Sequence, residues 1–222
     1  MTATQYALAE TFYTLQGEGY HAGTPALFIR FAGCSMWSGQ QEHRDRDATR
    51  NGAACPLFCD TDFRPRERLS AEQLVERGQA LAPAELPLIV LTGGEPLLQV
   101  DQSLVDALRA AWPRVRIAVE TNGAHEPRAA LDWICVSPKV PVERLAITRG
   151  DEIKVVVPAY SPEDYASIAD NFGHRWVSAE AYTTAIGCSS LNGEAIARAA
   201  AWVMQNPSWR LTVQTHKMIG IP

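Results

Sequence analysis

Leu88-Ile89-Val90-Leu91-Thr92-Gly93-Gly94-Glu95-Pro96 is the stretch on which the fold of this 222-residue chain turns. An unbroken apolar run, half of it β-branched, reads as a strand buried on both faces, the pattern of a parallel sheet. The two glycines that follow let the backbone approach another group closely and leave N–H and C=O groups free at the strand's C-terminal end. Ligand sites of α/β sheets lie at that end. Working outward, similar runs fall at Ala26–Phe31, Val115–Glu120, Trp133–Val136, Ile153–Val157 and Leu211–Gln214. Helical patterns lie between them. Ser70 can cap a helix with Gln73 returning the bond, and Leu74, Val75 and Leu81 form its stripe. Asp101 opens a second, with Leu104, Val105 and Leu108 on one face and Pro113 stopping it. Ser161-Pro162-Glu163 starts a third, and the last carries Ile196, Ala200 and Val203 and ends before Pro207. Strands alternating with helices predict βαβ units around a parallel sheet.

Hydrophobic residues make up 46% of the chain and charged residues 20%, ordinary for a globular protein. The net charge of −5 argues against a broad nucleic-acid footprint, so no direct nucleic-acid binding is expected. No stretch approaches the roughly 18 apolar residues of a membrane span, and Met1–Glu10 lacks the basic start and apolar run of a secretion signal. A cytoplasmic chain is expected. Its five cysteines then point to metal binding or catalysis more than to disulfides.

Cys34 follows the first buried strand through Ala32-Gly33, and Cys55 and Cys59 come after 20 and then 3 intervening residues. The crossover from Phe31 to Leu88 is longer than one helix needs, and its first part, Ser35–Thr61, reads as a functional loop at a strand end. Three thiolates on a four-iron cluster leave one iron open for a chelating small molecule, such as the amino and carboxylate groups of methionine. A zinc loop with His43 as fourth ligand is the alternative, and spacing alone does not separate the two. Cys135, inside an apolar strand, and Cys188, alone, read as structural thiols.

Taken together, these blocks resemble the radical S-adenosylmethionine superfamily, and more narrowly the 7-carboxy-7-deazaguanine synthase family. The resemblance is carried by Phe12-Tyr13-Thr14-Leu15-Gln16-Gly17-Glu18-Gly19, Arg30-Phe31-Ala32-Gly33-Cys34, Cys59-Asp60-Thr61-Asp62, Thr92-Gly93-Gly94-Glu95-Pro96, Glu120-Thr121-Asn122-Gly123, Ser137-Pro138-Lys139 and the tail Gln214-Thr215-His216-Lys217…Ile221-Pro222. It implies an α/β fold, a shortened, incomplete TIM-like (β/α) barrel with mostly parallel strands. A single radical S-adenosylmethionine domain would span residues 1–222, with the cluster-binding loop at about 34–61. The implied activity is a lyase-type ring contraction of 6-carboxy-5,6,7,8-tetrahydropterin to 7-carboxy-7-deazaguanine, with loss of ammonia, in queuosine-type 7-deazapurine synthesis. The implied cofactors are a 4Fe-4S cluster, S-adenosyl-L-methionine and Mg2+. The implied partners are an electron donor such as flavodoxin or ferredoxin and a second copy of the chain in a homodimer.

Residue by residue, the resemblance makes Cys34, Cys55 and Cys59 the cluster ligands. It places Phe58, Cys59, Asp60, Gly94, Glu95, Ser137, Pro138 and Lys139 against S-adenosylmethionine. It places Leu15, Gln16, Gly17, Glu18, Arg30, Thr92, His216 and the terminal carboxylate of Pro222 against the pterin, and makes Thr61 a magnesium ligand. The chemistry suits these roles. Gln16 and Glu18 match a donor–acceptor ring edge, Arg30 can fork onto a carboxylate, and magnesium prefers oxygen ligands. Outside the resemblance, Arg30 reads as a surface strand residue, Glu18 as a solvated carboxylate, His216 as structural and Thr61 as a turn residue.

Two departures stand out. The family usually places two residues between its last two cysteines, and here Pro56-Leu57-Phe58 makes three, so the extra residue is expected to bulge outward. A Gln-Pro cofactor-contact block is replaced by Ser178-Ala179-Glu180-Ala181-Tyr182, and those contacts are not carried over. The rival functions are a glycyl-radical activating enzyme, against which the QGEG and QTHK blocks argue, and a zinc-binding regulatory or interaction protein on a degenerate barrel.

Overall fold

The computed structural model describes residues 4–183 and 189–222. Cys188 lies outside them. The strands are β1 (Tyr6–Leu15), β2 (Pro25–Phe31), β3 (Glu67–Leu69), β4 (Leu88–Gly93), β5 (Arg116–Thr121), β6 (Trp133–Val136), β7 (Gly150–Val157), β8 (Phe172–Ala179), β9 (Ala181–Thr183), β10 (Ser189–Leu191) and β11 (Arg210–Thr212). The helices are α1 (Arg44–Asn51), α2 (Cys55–Phe58), α3 (Ala71–Leu81), α4 (Gln102–Ala111), α5 (Ala166–Ala169), α6 (Gly193–Gln205) and α7 (Thr215–Ile219). Among the described residues, one sheet runs in the order β11-β8-β7-β6-β5-β4-β2-β1-β3, and β9 and β10 form a small separate ribbon. From β2 to β11 every neighbour is parallel, while β1 and β3 are antiparallel additions at one edge. The two edge strands do not pair, so the barrel stays open, as expected.

The sheet is nevertheless strongly curved. β1 and β11 stand seven strand spacings apart, roughly 34 Å across a flat sheet. Gly19, just past β1, donates its N–H to Thr212 Oγ1 on β11 at 2.9 Å. Four residues from Leu15 reach only about 14 Å. The turn after β1 therefore spans the gap between the sheet's ends, and Tyr20 N–H bonding Glu152 on β7 at 2.8 Å fixes it from beneath.

The local signals explain most elements. Ser70 and Gln73 form a reciprocal capping box on α3, and Asp101 accepts from Leu104 N–H at the start of α4. The stripe of α3 ends at Gly78 rather than at Leu81, which is exposed. At Gly78 an added Cβ would lie 2.8 Å from Leu27 and 2.9 Å from Trp112, so the absent side chain is what lets the helix meet the sheet. The stripe of α6 is rotated, with Ala195 and Ala199 buried and Ile196, Ala200 and Val203 half-buried, because small residues allow the closest approach. Ser161 caps nothing. Pro162–Tyr165 forms a 3-10 turn leading into α5. Beyond Thr212 the chain turns into α7 instead of continuing as strand to Gln214.

No helix among the described residues is long and apolar enough to cross a membrane. The main core lies between the sheet and its helices and includes Leu27, Ile89, Leu91, Leu104, Leu108 and Trp112. Trp112 is almost fully buried, and its indole donates to Pro83 O at 3.2 Å. Trp112→Ala is expected to cost about 3–5 kcal/mol in urea or guanidinium unfolding, since the cavity lies against a rigid sheet. A loss below about 1 kcal/mol would show that α3 and α4 close over the gap.

Candidate active site

The parallel strands end on one rim, and their C-terminal loops build two adjoining cavities. The first, about 250 Å³, is lined by Cys34, Cys55 and Cys59 together with Phe58, Gly94, Ser137 and Lys139. The second, about 460 Å³, is lined by Leu15, Gln16, Gly17, Arg30, His216 and Pro222. Glu18, Asp60, Thr61, Thr92, Glu120, Lys154 and Gln214 line both and form their common wall. The expected site residues are thus brought together, apart from Glu95 and Pro138. Pro138 is buried behind the rim. Glu95 is fully buried and holds neighbouring loops: its carboxylate accepts from Leu97 N–H, Thr121 Oγ1 and Asn122 N–H.

Cys34 hangs from the turn after β2, where its sulfur accepts the Met36 N–H at 3.4 Å. Gly94 must be glycine, because a Cβ there would lie 2.0 Å from Gly33 O and 3.0 Å from Cys34 Cβ. The three residues between Cys55 and Cys59 do not bulge outward. They form the helical turn α2, in which Cys59 N–H bonds Cys55 O at 2.8 Å. Residues four apart in a helix share a face, so the longer spacing still presents both sulfurs to one side. Burial pushes all three thiols up, Cys55 to about 12. A cationic centre would reverse that shift, so three half-buried thiols lining one cavity fit a cluster. Among the described residues no three His, Cys, Asp or Glu side chains are gathered as a ready single-ion site. His43 does not line the cavity, and its Nδ1 lies 3.3 Å from Ser38 Oγ.

Lys139 Nζ donates to Ser137 Oγ at 2.6 Å and to its carbonyl at 3.1 Å, and burial lowers its ammonium. Ser178, Ala179, Glu180 and Ala181 also line the cysteine cavity, and Glu180 Oε2 is buried without a partner. The block where the family pattern fails therefore still faces the site. The Tyr182 side chain lies outside the described residues.

The common wall is organised by a residue that sequence reading missed. Lys154, on β7, bonds Glu18 Oε2 and Glu120 Oε2, each at 2.9 Å. Gln16 Nε2 donates to Glu120 Oε1 at 3.1 Å, and Gln214 Nε2 to Glu18 Oε1 at 2.8 Å. Burial alone would lower the Lys154 ammonium, but Glu120 and Glu18 hold it well above its usual range. Burial alone would likewise raise the Glu18 carboxyl, but Lys154, with Gln214, brings it down to about 2. The signal was available: a lysine inside the apolar run Ile153–Val157 needs a buried partner.

In the second cavity, Arg30 is held at Nε by Glu10 Oε2, 3.4 Å away, and stands 5.5 Å from the Phe12 ring centroid. His216 packs on Gly17, where a Cβ would lie 2.0 Å from its Nδ1. Burial lowers its imidazole, so it is neutral at pH 7. Thr14 Oγ1 donates to Pro222 O at 3.1 Å, which ties the chain end to the rim. Lys217 pairs with Asp60 across the same mouth.

Lys154→Met is expected to cost about 3–5 kcal/mol at pH 7, because two carboxylates are left facing each other in a buried site. In the native protein the depressed Glu18 carboxyl contributes about 3 kcal/mol above pH 4.5, lost as pH falls toward 2. In the variant that acid loss should vanish or reverse. Denaturant unfolding across pH 3–7 checks both, and an unchanged acid limb would remove Lys154 as its cause.

No protein-family model matches the chain. Among curated relatives, the 7-carboxy-7-deazaguanine synthase of Burkholderia multivorans is 43% identical over 227 residues, covering 98% of this chain and 99% of its own length. That of Bradyrhizobium diazoefficiens is 43% identical over 227 residues, covering 97% and 99%. The crystal structure of QueE from Escherichia coli shares the fold, with a TM-score of 0.64 at 24% identity over 95% of this chain and 94% of that one.

Proposed function

The chain belongs to the 7-carboxy-7-deazaguanine synthase family, and from that premise we propose that it is a radical S-adenosylmethionine- and magnesium-dependent enzyme. In this reading it converts 6-carboxy-5,6,7,8-tetrahydropterin to 7-carboxy-7-deazaguanine and ammonia, for queuosine-type deazapurine synthesis. The observation that carries the reading is the common wall between a cysteine-lined cavity and a polar one. A cofactor in the first cavity and a substrate in the second would lie side by side, as hydrogen transfer between them requires.

Cys34, Cys55 and Cys59 would hold a 4Fe-4S cluster, which together with S-adenosylmethionine would supply the radical hydrogen-abstraction chemistry needed at C6 of the pterin. The protein's part is binding, orientation and exclusion of water. Phe58, Cys59, Asp60, Gly94, Ser137 and Lys139 hold S-adenosylmethionine, while Glu95 and Pro138 shape that wall from behind. Gln16 and Glu18 accept the amino edge of the pterin. Gln214 joins them, because its Nε2 is spent on Glu18 and its buried Oε1 has no partner. Arg30 takes the pterin carboxylate, Leu15, Gly17 and Thr92 pack the ring, and neutral His216 offers a hydrogen bond without competing charge. Thr61, on the common wall, contributes an oxygen to magnesium. The terminal carboxylate of Pro222 faces the substrate. A homodimer and an electron donor such as flavodoxin or ferredoxin complete the working enzyme.

Anaerobic reconstitution with iron and sulfide, then assay with the carboxy-tetrahydropterin followed by mass, tests the reading. Wild type should form the deazaguanine product and Cys34→Ala should form none, whereas undiminished turnover by Cys34→Ala would sink the cluster assignment. Extending the chain by a few residues beyond Pro222 should lower turnover at least about 10-fold without moving the unfolding midpoint. An extended enzyme with full activity would take the chain end out of the site.

A further inference from the structure

The segment between Cys34 and Cys55 carries a side chain whose two terminal nitrogens both reach the Cys55–Cys59 turn. Arg44 is the first residue of α1. Its guanidinium lies over the indole of Trp37, 4.1 Å from the ring centroid. Nε donates to Gln41 Oε1 at 2.8 Å, Nη1 donates to Pro56 O, and Nη2 donates to Cys59 O at 3.0 Å. We infer that Arg44 is a positioning residue for the cluster, holding the Cys55–Cys59 turn so that both thiolates meet the same centre. The inference rests on the reading of the three cysteines as cluster ligands.

A single helical turn is unstable alone, because fixing its dihedrals yields about one hydrogen bond. Its terminal carbonyls also lack partners inside the helix. α2 is such a turn, and its two ends are tied from outside. At the start, Cys55 N–H donates to Tyr160 OH at 2.9 Å, and that hydroxyl donates to Lys139 O at 3.0 Å. At the end, Arg44 bonds the Pro56 and Cys59 carbonyls together. A planar fork can bridge two carbonyls while stacking on an aromatic face, whereas a lysine ammonium cannot do both.

The surrounding segment aims this fork. Buried Trp37 also packs edge-on against Phe63, with centroids 5.5 Å apart. Asp47 on α1 accepts the Ser38 N–H at 2.9 Å, Asn51 Nδ2 reaches Met36 O at 2.6 Å, and Arg144 Nη1 reaches Asn51 O at 2.6 Å. The middle and the C-terminal end of α1 are thus anchored. Its first residue stands where the extra residue between Cys55 and Cys59 makes a clamp necessary.

The test reconstitutes wild type, Arg44→Ala, Arg44→Lys and Arg50→Ala anaerobically with ferrous iron and sulfide. Arg50 is an exposed arginine on the same helix and serves as control. Iron and sulfide per chain are measured after desalting, with the rate of iron loss to a ferrous chelator and the low-temperature EPR spectrum of the reduced protein. Arg44→Ala should lose iron about 10-fold faster than wild type and show a broadened or diminished EPR signal. Arg44→Lys, which keeps the charge but not the fork, should resemble it, and Arg50→Ala should match wild type. Iron retention at the wild-type rate in Arg44→Ala overturns the inference. If the apo form of Arg44→Ala has a lowered unfolding midpoint, Arg44→Lys decides: faster iron loss supports the clamp, and wild-type retention overturns it. A wild type that takes up no iron would instead bring down the cluster reading itself.

Discussion

One buried ammonium sets the geometry of the site. Lys154 bonds Glu18 from the turn after β1, Glu120 from the end of β5, and stands itself on β7. A charge removed from water must be paired, and losing one partner costs more than the pair contributes. The three segments therefore cannot separate without stranding a charge. Because the pairing sits at the C-terminal ends of the strands, it fixes the wall that both cavities share.

The same constraint explains how an open sheet can hold a precise site. A closed barrel fixes its strand ends through an unbroken hydrogen-bond ladder. Here the ladder stops at β11 and β3, and the turn after β1 replaces the missing link. Gly19 reaches Thr212, Tyr20 reaches Glu152, and Thr215 donates its N–H to Gly17 O at 3.1 Å. The close approaches demand small residues: a Cβ at Gly19 would sit 2.5 Å from Glu152, and one at Gly17 would strike His216. The QGEG block is thus both a strap across the gap and a wall of the polar cavity.

What the sequence disclosed follows from how each element is buried. Strands covered on both faces, such as Leu88–Gly93, carry long apolar runs and are legible. β1 mixes Ala, Glu and Thr because it lies near an edge, and β8 is interrupted by Gly173, His174 and Arg175, so neither shows a clean pattern. Cysteines and glycine turns announce themselves by residue type. Lys154 shows in the sequence only as a charge inside an apolar run, because its partners are two carboxylates remote in the chain. Glu95 stands beside Gly94 and so reads as a ligand contact from sequence; a buried carboxylate needs donors, and here three protein groups supply them. The expected bulge between Cys55 and Cys59 failed for a simple reason, since a spacing of four is the helix's own repeat.

The charge of the common wall has a further consequence for what can bind there. Two carboxylates and one ammonium leave a net negative charge, and Glu18 stays ionised because its carboxyl is held near 2. Its bond from Gln214 Nε2 turns the amide so that Oε1 is left as an unpartnered acceptor. The wall therefore accepts hydrogen bonds more than it donates them. In the same cavity, Arg30 is steadied along one edge by Glu10 and offers positive charge. A ligand that satisfies both must carry N–H donors as well as an anionic group. The proposed carboxy-tetrahydropterin meets this requirement, with an amino-pyrimidinone edge and a carboxylate at opposite ends. A ligand lacking the carboxylate would leave Arg30 uncompensated, and one lacking the amino edge would leave the buried acceptors bare. Discrimination of this kind rests on unpaired polar groups and is far steeper than discrimination by shape.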